Sequence, residues 1–437
     1  MEINQFYQIN WVRRIFLAWL ITMPFGAAIG AFSIGFMTIY PNLVLSCILL
    51  IVVSPTIVKW NKILLSFFLL LGVWVIISAI SPSFSEAAFD SHWKFDFRSL
   101  IMQFCYAGII FGVYYRIGAA VFRKVLLQGI AFFLVVLIAS GIFEFYSGIH
   151  LSGNFTDKLL DQTIVNNNFY SPVFIYDNPN DYLLYLIGLM ALFLGLNKVE
   201  RWKSVAFLLL AFVFAFTASS RIGLILCLLL LSIQFLFIAK AHLKKKQFKK
   251  FGFVTAGMAS VFLIFLIQPV FIGPKYVKGE ETTKGDYMAY PAPVFDGMSS
   301  SEIRKNLFLN GLDFVRESPI AGIGPGQFRH RHKTGSVKYD TGTVVGPHNY
   351  LVEVISQYGL IGWVYFLFLL LTFVKFLKET IRRKDFYEFC VLFPVFGLMS
   401  LMSSSFLYLN LNWFMVPILL LYSFVPNSID KIVDVEG

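Results

Sequence analysis

Five of the six histidines, His92, His150, His330, His332 and His348, fall on stretches that separate long apolar runs or lie at their ends. Imidazole is the side chain whose ordinary titration range straddles neutrality, so each of these could take up or release a proton. His348 sits in Pro347-His348-Asn349-Tyr350-Leu351, at the head of one such run, while His330 and His332 alternate with Arg329 and Arg331. Arg221 is the sole charge of the short turn Ser219-Ser220-Arg221, and Arg304 and Arg316 lie on the stretch 301–318. A guanidinium presents a rigid fork of N–H donors that matches phosphate oxygens and stays protonated. Fixed guanidiniums beside a neutral imidazole suit one kind of reaction. The cations stabilise charge growing on a departing diphosphate, and the imidazole removes the proton of an attacking hydroxyl.

These residues are carried by an unusual chain. Of 437 residues, 57% are apolar, 18% aromatic and only 14% charged, with a net charge of +11. Soluble domains run closer to a quarter charged, so a soluble enzyme, a disordered chain and a collagen-like chain are all disfavoured. Apolar runs near twenty residues recur, as a bilayer requires. They predict an all-α, polytopic membrane protein with about twelve spans, at 15–36, 38–58, 63–80, 99–115, 125–146, 181–197, 204–218, 222–239, 251–272, 348–374, 386–408 and 411–425. The organisation expected is therefore nine spans over 1–272, a large loop over 273–347, and three spans with a cytoplasmic tail over 348–437. The first run follows Arg13-Arg14 and meets the second run directly, so an uncleaved anchor is expected in place of a signal peptide.

Charge placement sets the expected orientation. With the amino terminus inside, 22 of the 36 Lys and Arg residues fall on inner segments and 14 on outer ones. After the acidic residues are subtracted, the inner side carries +14 and the outer side −3. This is the positive-inside bias, and it predicts both termini in the cytoplasm. The basic excess is then a topology signal, and nucleic acid is not an expected partner. The Lys240–Lys250 cluster reads as a topogenic loop facing anionic lipid. Cys47, Cys105, Cys227 and Cys390 all fall within predicted spans, where neither a disulfide nor a metal knot is expected.

Chemistry is expected on the outer side. The inner segments hold no phosphate-cradling Gly loop and no paired carboxylates for a metal-bound nucleotide sugar. The loop 273–347 is the only large hydrophilic excursion, and loops of such length are usually functional or disordered. Its stretch Ser301–Ser318 predicts an amphipathic helix, with Ile303, Leu307, Phe308, Gly311, Leu312, Phe314 and Val315 on the apolar face and Pro319 after its end. Such a helix is expected to lie against the membrane surface. The run 348–374 is longer than the bilayer core needs, so a continuous helix there would lift His348 about 10 Å above the hydrocarbon. Outside the cytoplasm there is no nucleotide sugar, so a synthetic reaction needs a donor already activated in the membrane, such as a polyprenyl diphosphate sugar.

The pattern resembles a known family. Gly322-Ile323-Gly324-Pro325-Gly326-Gln327-Phe328, followed by Pro347-His348-Asn349-Tyr350-Leu351, Glu353, Tyr358-Gly359-Leu360 and Gly362, resembles the bacterial O-antigen ligase and O-antigen polymerase superfamily. Asp177-Asn178-Pro179-Asn180-Asp181 and Thr217-Ala218-Ser219-Ser220-Arg221 look like further family elements, as does the helix bearing Arg304. The detailed likeness covers about 177–223 and 300–375. It implies transfer of glycan from undecaprenyl diphosphate at the outer face of a bacterial inner membrane, without metal or other cofactor. Arg221 and Arg304 would hold the diphosphate, and His348 would activate the acceptor. Arg316, Arg329, Arg331, His332 and Asn349 are candidate substrate contacts. Chain-length regulators and flippases are candidate partners, alongside membrane lipid.

Within the superfamily, polymerases join lipid-linked repeat units and ligases move finished polymer onto a lipid A core. Polymerase is favoured here because repeat-unit polymerisation recurs across O-antigen, capsule and exopolysaccharide pathways. A transporter of lipid-linked sugars is the alternative of another class. It would want ionisable residues near the span centres, which hold almost none. Structural alternatives stand beside each residue: Arg221 snorkelling from a helix end, Arg304 as a solvated helix position, and Arg329–His332 as a hydrated surface. His348 could be an interfacial cap, and Glu144 a solvated helix terminus.

Overall fold

The computed structural model describes residues 3–23, 32–34, 37–39, 41–81, 91–151, 172–176, 179–197, 201–218, 220–250, 255–260, 300–342, 346–383, 386–402 and 409–425, with single positions at 25, 252 and 263. Helices dominate them. They run α1 (Ile3–Thr22), α2 (Pro41–Val53) with a 3₁₀ turn Ser54–Lys59, α3 (Lys62–Ile80), α4 (Ser91–Ile117), α5 (Ala119–Ser147), α6 (Pro179–Leu196), α7 (Arg201–Thr217), α8 (Arg221–Lys244), α9 (Ser300–Glu317), α10 (Gln327–Lys333), α11 (Tyr350–Arg383), α12 (Tyr387–Met402) and α13 (Asn410–Phe424). A small antiparallel hairpin pairs Phe32–Ile34 with Met37–Ile39.

Among the described residues, seven helices are long and apolar enough to cross a membrane, and three shorter apolar ones are Lys203–Thr217, Tyr387–Leu401 and Asn410–Phe424. The first predicted span departs from expectation. The helix ends at Thr22 and a hairpin follows, so 15–36 is not one continuous helix. Pro24 has no amide hydrogen with which to extend the ladder. Of the ninth predicted span, 251–272, only 252, 255–260 and 263 are described, and loop residues 273–299 lie outside the described residues.

Two compact units divide the chain. One comprises Met1–Ile130, Phe295–Asp385 and Ser400–Gly437. Its core is tied by polar groups as well as by packing. The Trp19 indole donates to Ser46 Oγ at 2.8 Å, Asn42 Nδ2 donates to the Trp19 carbonyl at 3.0 Å, and the Tyr106 hydroxyl donates to Asn42 Oδ1 at 3.1 Å. In an apolar surround an unmade hydrogen bond costs several kcal/mol (~2–7), so such a knot fixes α1, α2 and α4 in one register. A second knot anchors the start of α11. Asn412 Nδ2 on α13 donates to the Tyr350 hydroxyl, which donates to the Tyr365 hydroxyl, both at 2.9 Å. Trp74 packs edge-on against Tyr358 and Tyr365.

The other unit comprises Ala131–Val294 and Phe386–Met399. Here Glu144 overturns the expectation of a solvated terminus. It is fully buried, and its carboxylate accepts backbone N–H bonds from Leu151 (2.8 Å), Val173 (2.6 Å) and Phe174 (2.8 Å). Three amides replace the water that a carboxylate would otherwise need. The Tyr182 hydroxyl donates to the Leu137 carbonyl at 2.7 Å, and Gln234 Nε2 donates to the Tyr387 hydroxyl at 2.5 Å.

Candidate active site

The amphipathic pattern over 301–318 forms α9 as expected, but its apolar face is covered by protein. Ile303, Leu307 and Phe314 are buried against Phe328 of α10, with Ile323 and Val337 packed on the cluster. At Gly311 the backbone closes on Val352 of α11. A face already occupied in this way is not free to lie on lipid. Phe308 is left exposed beside it.

α11 is not one straight helix. Gly359 has φ 52° and ψ −124°, breaking it after its first nine residues. These angles are those of the first central position of a type II′ turn, which glycine alone adopts comfortably. The break frees carbonyls, and the Gly-rich segment 320–324 satisfies them. Ile323 N donates to the Ser356 carbonyl and Gly324 N to the Gln357 carbonyl, both at 2.9 Å, while Leu360 N donates to the Ile320 carbonyl at 2.8 Å. Backbone meets backbone here. A Cβ on Gly359 would collide with the Ile320 carbonyl, and one on Gly322 with the Gln357 carbonyl. The sequence expectation of a continuous helix over 348–374 therefore fails at Gly359, and so does the 10 Å protrusion drawn from it.

Above the break stands His348, with φ 52°, a left-handed conformation uncommon outside glycine. The role of helix cap falls to its neighbour. Asn349 Oδ1 accepts from Val352 N at 3.1 Å, so the structure gives the side chain of Asn349 a capping part. His348 is half-buried. Burial first, then the charges of Arg304 and Arg329, hold its imidazole below the ordinary value, at about 4. The field of both guanidiniums thus reaches His348. Arg304 is exposed on α9 and Arg329 half-buried on α10.

The other candidates in this unit are engaged elsewhere. Arg331 forms a two-pronged ion pair with Glu317 (2.5 and 2.8 Å) and lies over the Phe314 ring at 4.9 Å. Arg331 in turn holds the Glu317 carboxyl below its usual range. His332 is buried, stacked on Phe328, with Nδ1 2.8 Å from the Phe328 carbonyl and Nε2 3.1 Å from Asn310 Nδ2. A carbonyl only accepts and an amide nitrogen only donates, so the proton sits on Nδ1 and both ring nitrogens are occupied. Burial pushes its pKa down. Arg316 is 78% exposed, 3.8 Å from Asp313.

Arg221 belongs to the second unit. It is the exposed first residue of α8, whose cap is Ser220. Ser220 Oγ accepts from Gly223 N at 3.1 Å and donates to Asn180 Oδ1 at 2.6 Å, joining the Asn-Pro-Asn and Ser-Ser-Arg motifs. A cation at a helix N-terminus meets the positive end of the helix dipole, a cost of about 0.3–1 kcal/mol that a bound anion would remove. Asp177, Asn178 and Ser219 lie outside the described residues.

Two groups that sequence reasoning missed matter to the site. Asp96 of α4 is fully buried and binds both the Gly-rich turn and α11. Asn310 clasps Tyr339 through backbone bonds of 2.7 and 2.9 Å while holding His332. Lys94, Asp96 and Arg98 read as loop in a hydropathy profile, and only the interleaved Trp93, Phe95 and Phe97 hinted that α4 continues through them.

The low value at His348 is directly measurable. Histidine NMR of the protein in micelles, with His348→Asn identifying the signal, is expected to show the imidazole neutral down to about pH 4. Its folded value lies below the unfolded value of about 6.5. Its contribution to stability is therefore present above pH ~6.5 and is lost as pH falls through about 4. Arg304→Gln should raise the value; a titration midpoint near 6.5 in the wild type would contradict this environment.

No curated protein matches the sequence. Residues 206–367 do match a family model, that of O-antigen ligase, and this stretch includes Arg221, Arg304, Arg316, Arg329, Arg331, His332, His348 and Asn349. Over those residues, which are less than half of the chain, the sequence is similar to the O-antigen ligase family.

Proposed function

We propose that the protein is a polysaccharide polymerase that transfers undecaprenyl-diphosphate-linked glycan to a hydroxyl of another lipid-linked repeat unit. The reaction takes place at the outer face of a bacterial inner membrane, with both termini in the cytoplasm. The acceptor oxygen attacks the anomeric carbon, the bond from that carbon to the diphosphate breaks, and the hydroxyl proton passes to His348. The diphosphate leaves as an anion held by Arg304 and Arg329, and Arg221 is the further candidate that the family resemblance implies. Cationic stabilisation comes from these side chains without a metal.

One observation carries this reading most: a histidine in a left-handed conformation within the field of two arginines. A non-glycine residue with positive φ costs of order 1–3 kcal/mol and persists where the surroundings demand it. At about 4 the imidazole is neutral at pH 7, with a lone pair to receive a proton. It is also a weak base, and the donor mends that. A bound diphosphate offsets the charges of Arg304 and Arg329 and raises the proton affinity of the imidazole only when there is something to react with. His332 and Arg331 hold α10 in place, and Asn349 caps α11.

Purified protein reconstituted in lipid with an undecaprenyl-diphosphate repeat unit tests this. The expected product is a glycan ladder formed without lipid A core. Product formed only with core would make the protein a ligase, the activity after which the matching family model is named. Movement of the lipid across the bilayer without product would make it a transporter.

A further inference from the structure

The geometry points to Asp96 as a positioning residue for this site: its buried carboxylate fixes the Gly-rich turn and the break in α11 to α4, and through them Arg329 and His348. The inference rests on the transfer reading above.

Asp96 is fully buried near one end of α4. One oxygen, Oδ2, accepts from the Gly326 amide at 2.8 Å and from the Tyr358 hydroxyl at 3.2 Å. These donors are well separated in sequence and each controls one side of the site. Gly326, with φ 75°, is the cap of α10, and no side chain caps that helix. Fixing its amide fixes the start of the seven-residue helix that carries Arg329 three residues on. Tyr358 immediately precedes the Gly359 break, its ring held edge-on by Trp74 at 4.9 Å. Fixing its hydroxyl fixes the short leading segment of α11 that starts two residues after His348. One acceptor atom thus sets the two segments on which imidazole and guanidinium ride.

The reason to read this as positioning is geometric precision. The three backbone bonds between 320–324 and 356–360 join the turn to the break. Asp96 ties both sides of that junction to α4, beside the Tyr350–Tyr365–Asn412 knot that ties α11 to α13. A displacement of about 1 Å at reacting groups can cost on the order of 10²-fold in rate. Burial of a carboxylate is expensive unless its bonds are made, and the Gly326 amide and the Tyr358 phenol are among those that make them.

The bonds to Gly326 and Tyr358 fall on one oxygen, so the carbonyl oxygen of asparagine, turned to that side, can accept both of these. The experiment compares Asp96→Ala, Asp96→Asn and Tyr358→Phe in the full-length reconstituted protein, with His348→Ala alongside. Asp96→Ala is expected to lower kcat by about 10- to 100-fold, with KM for the lipid-linked donor changed less than about 3-fold. Asp96→Asn should keep at least about a third of wild-type kcat, and Tyr358→Phe should lose about 3- to 10-fold. Asp96→Asn as inactive as Asp96→Ala, while folded normally, would overturn the inference in favour of a role for the charge. If Asp96→Ala fails to accumulate, the other two decide, and wild-type kcat in both would overturn it. His348→Ala inactive beside wild-type Asp96→Ala would sink this inference alone. Full activity in His348→Ala would sink the transfer reading itself.

Discussion

His348→Ala is expected to reduce glycan transfer by about 10²- to 10⁴-fold, the range that a general base contributes, while the protein accumulates in the membrane as wild type does. Among the described residues, the anchoring of α11 falls to other side chains. The cap of α11 is Asn349, and the start of the helix is anchored by Tyr350, Tyr365 and Asn412. Backbone strain is the one confounding term, because φ 52° is unfavourable for alanine too. His348→Asn removes it, since asparagine tolerates the left-handed region yet cannot serve as a base. Equal inactivity in both variants, with unchanged melting temperature in detergent, assigns the loss to the missing proton acceptor. Wild-type product in either variant would remove His348 from the chemistry.

Gly359→Ala is expected to be the most damaging single methyl in the described structure. Two penalties coincide there. The backbone at φ 52°, ψ −124° is closed to residues with a Cβ, and that Cβ would lie on the Ile320 carbonyl. Relieving the collision means separating 320–324 from 356–360, which breaks three backbone hydrogen bonds and strands the Ser356 and Gln357 carbonyls in a buried place. Strain of about 1–3 kcal/mol and stranded polar groups at about 1–3 kcal/mol each place the total above about 3 kcal/mol. The measurement is accumulation in the membrane together with thermal unfolding after extraction. Leu360→Ala, one residue on and largely exposed, should stay within about 1 kcal/mol of wild type. A Gly359→Ala protein as stable as the wild type would contradict the break in α11.

These two residues differ in how plainly the sequence announces them. His348 stood out in the sequence as a candidate: a histidine leading an apolar run, after a Gly-rich segment. The helix over 301–318 was equally legible, because apolar residues at helical spacing leave a periodic signature, and α9 spans Ser300–Glu317. Most apolar runs became helices with ends near those expected. What the sequence hid was carried by main chain. The glycines of 322–326 suggested a turn, but nothing in side-chain pattern says that a turn's amides will satisfy a helix broken 35 residues later. Glu144 was misread and Asp96 missed for a related reason. A carboxylate near the end of an apolar run looks solvated, and here the groups that bury it are chiefly backbone amides. The covering of α9 by α10 and α11 was also invisible, since an amphipathic face records that it is covered and not by what.

The reaction itself is tested most directly by counting bonds. Protein in liposomes, supplied with an undecaprenyl-diphosphate repeat unit as sole substrate, is followed for glycan length by gel and for undecaprenyl diphosphate by mass spectrometry. The account predicts one undecaprenyl diphosphate released for each glycosidic bond formed. Release without lengthening, or repeat units that remain intact in the presence of active protein, would contradict it.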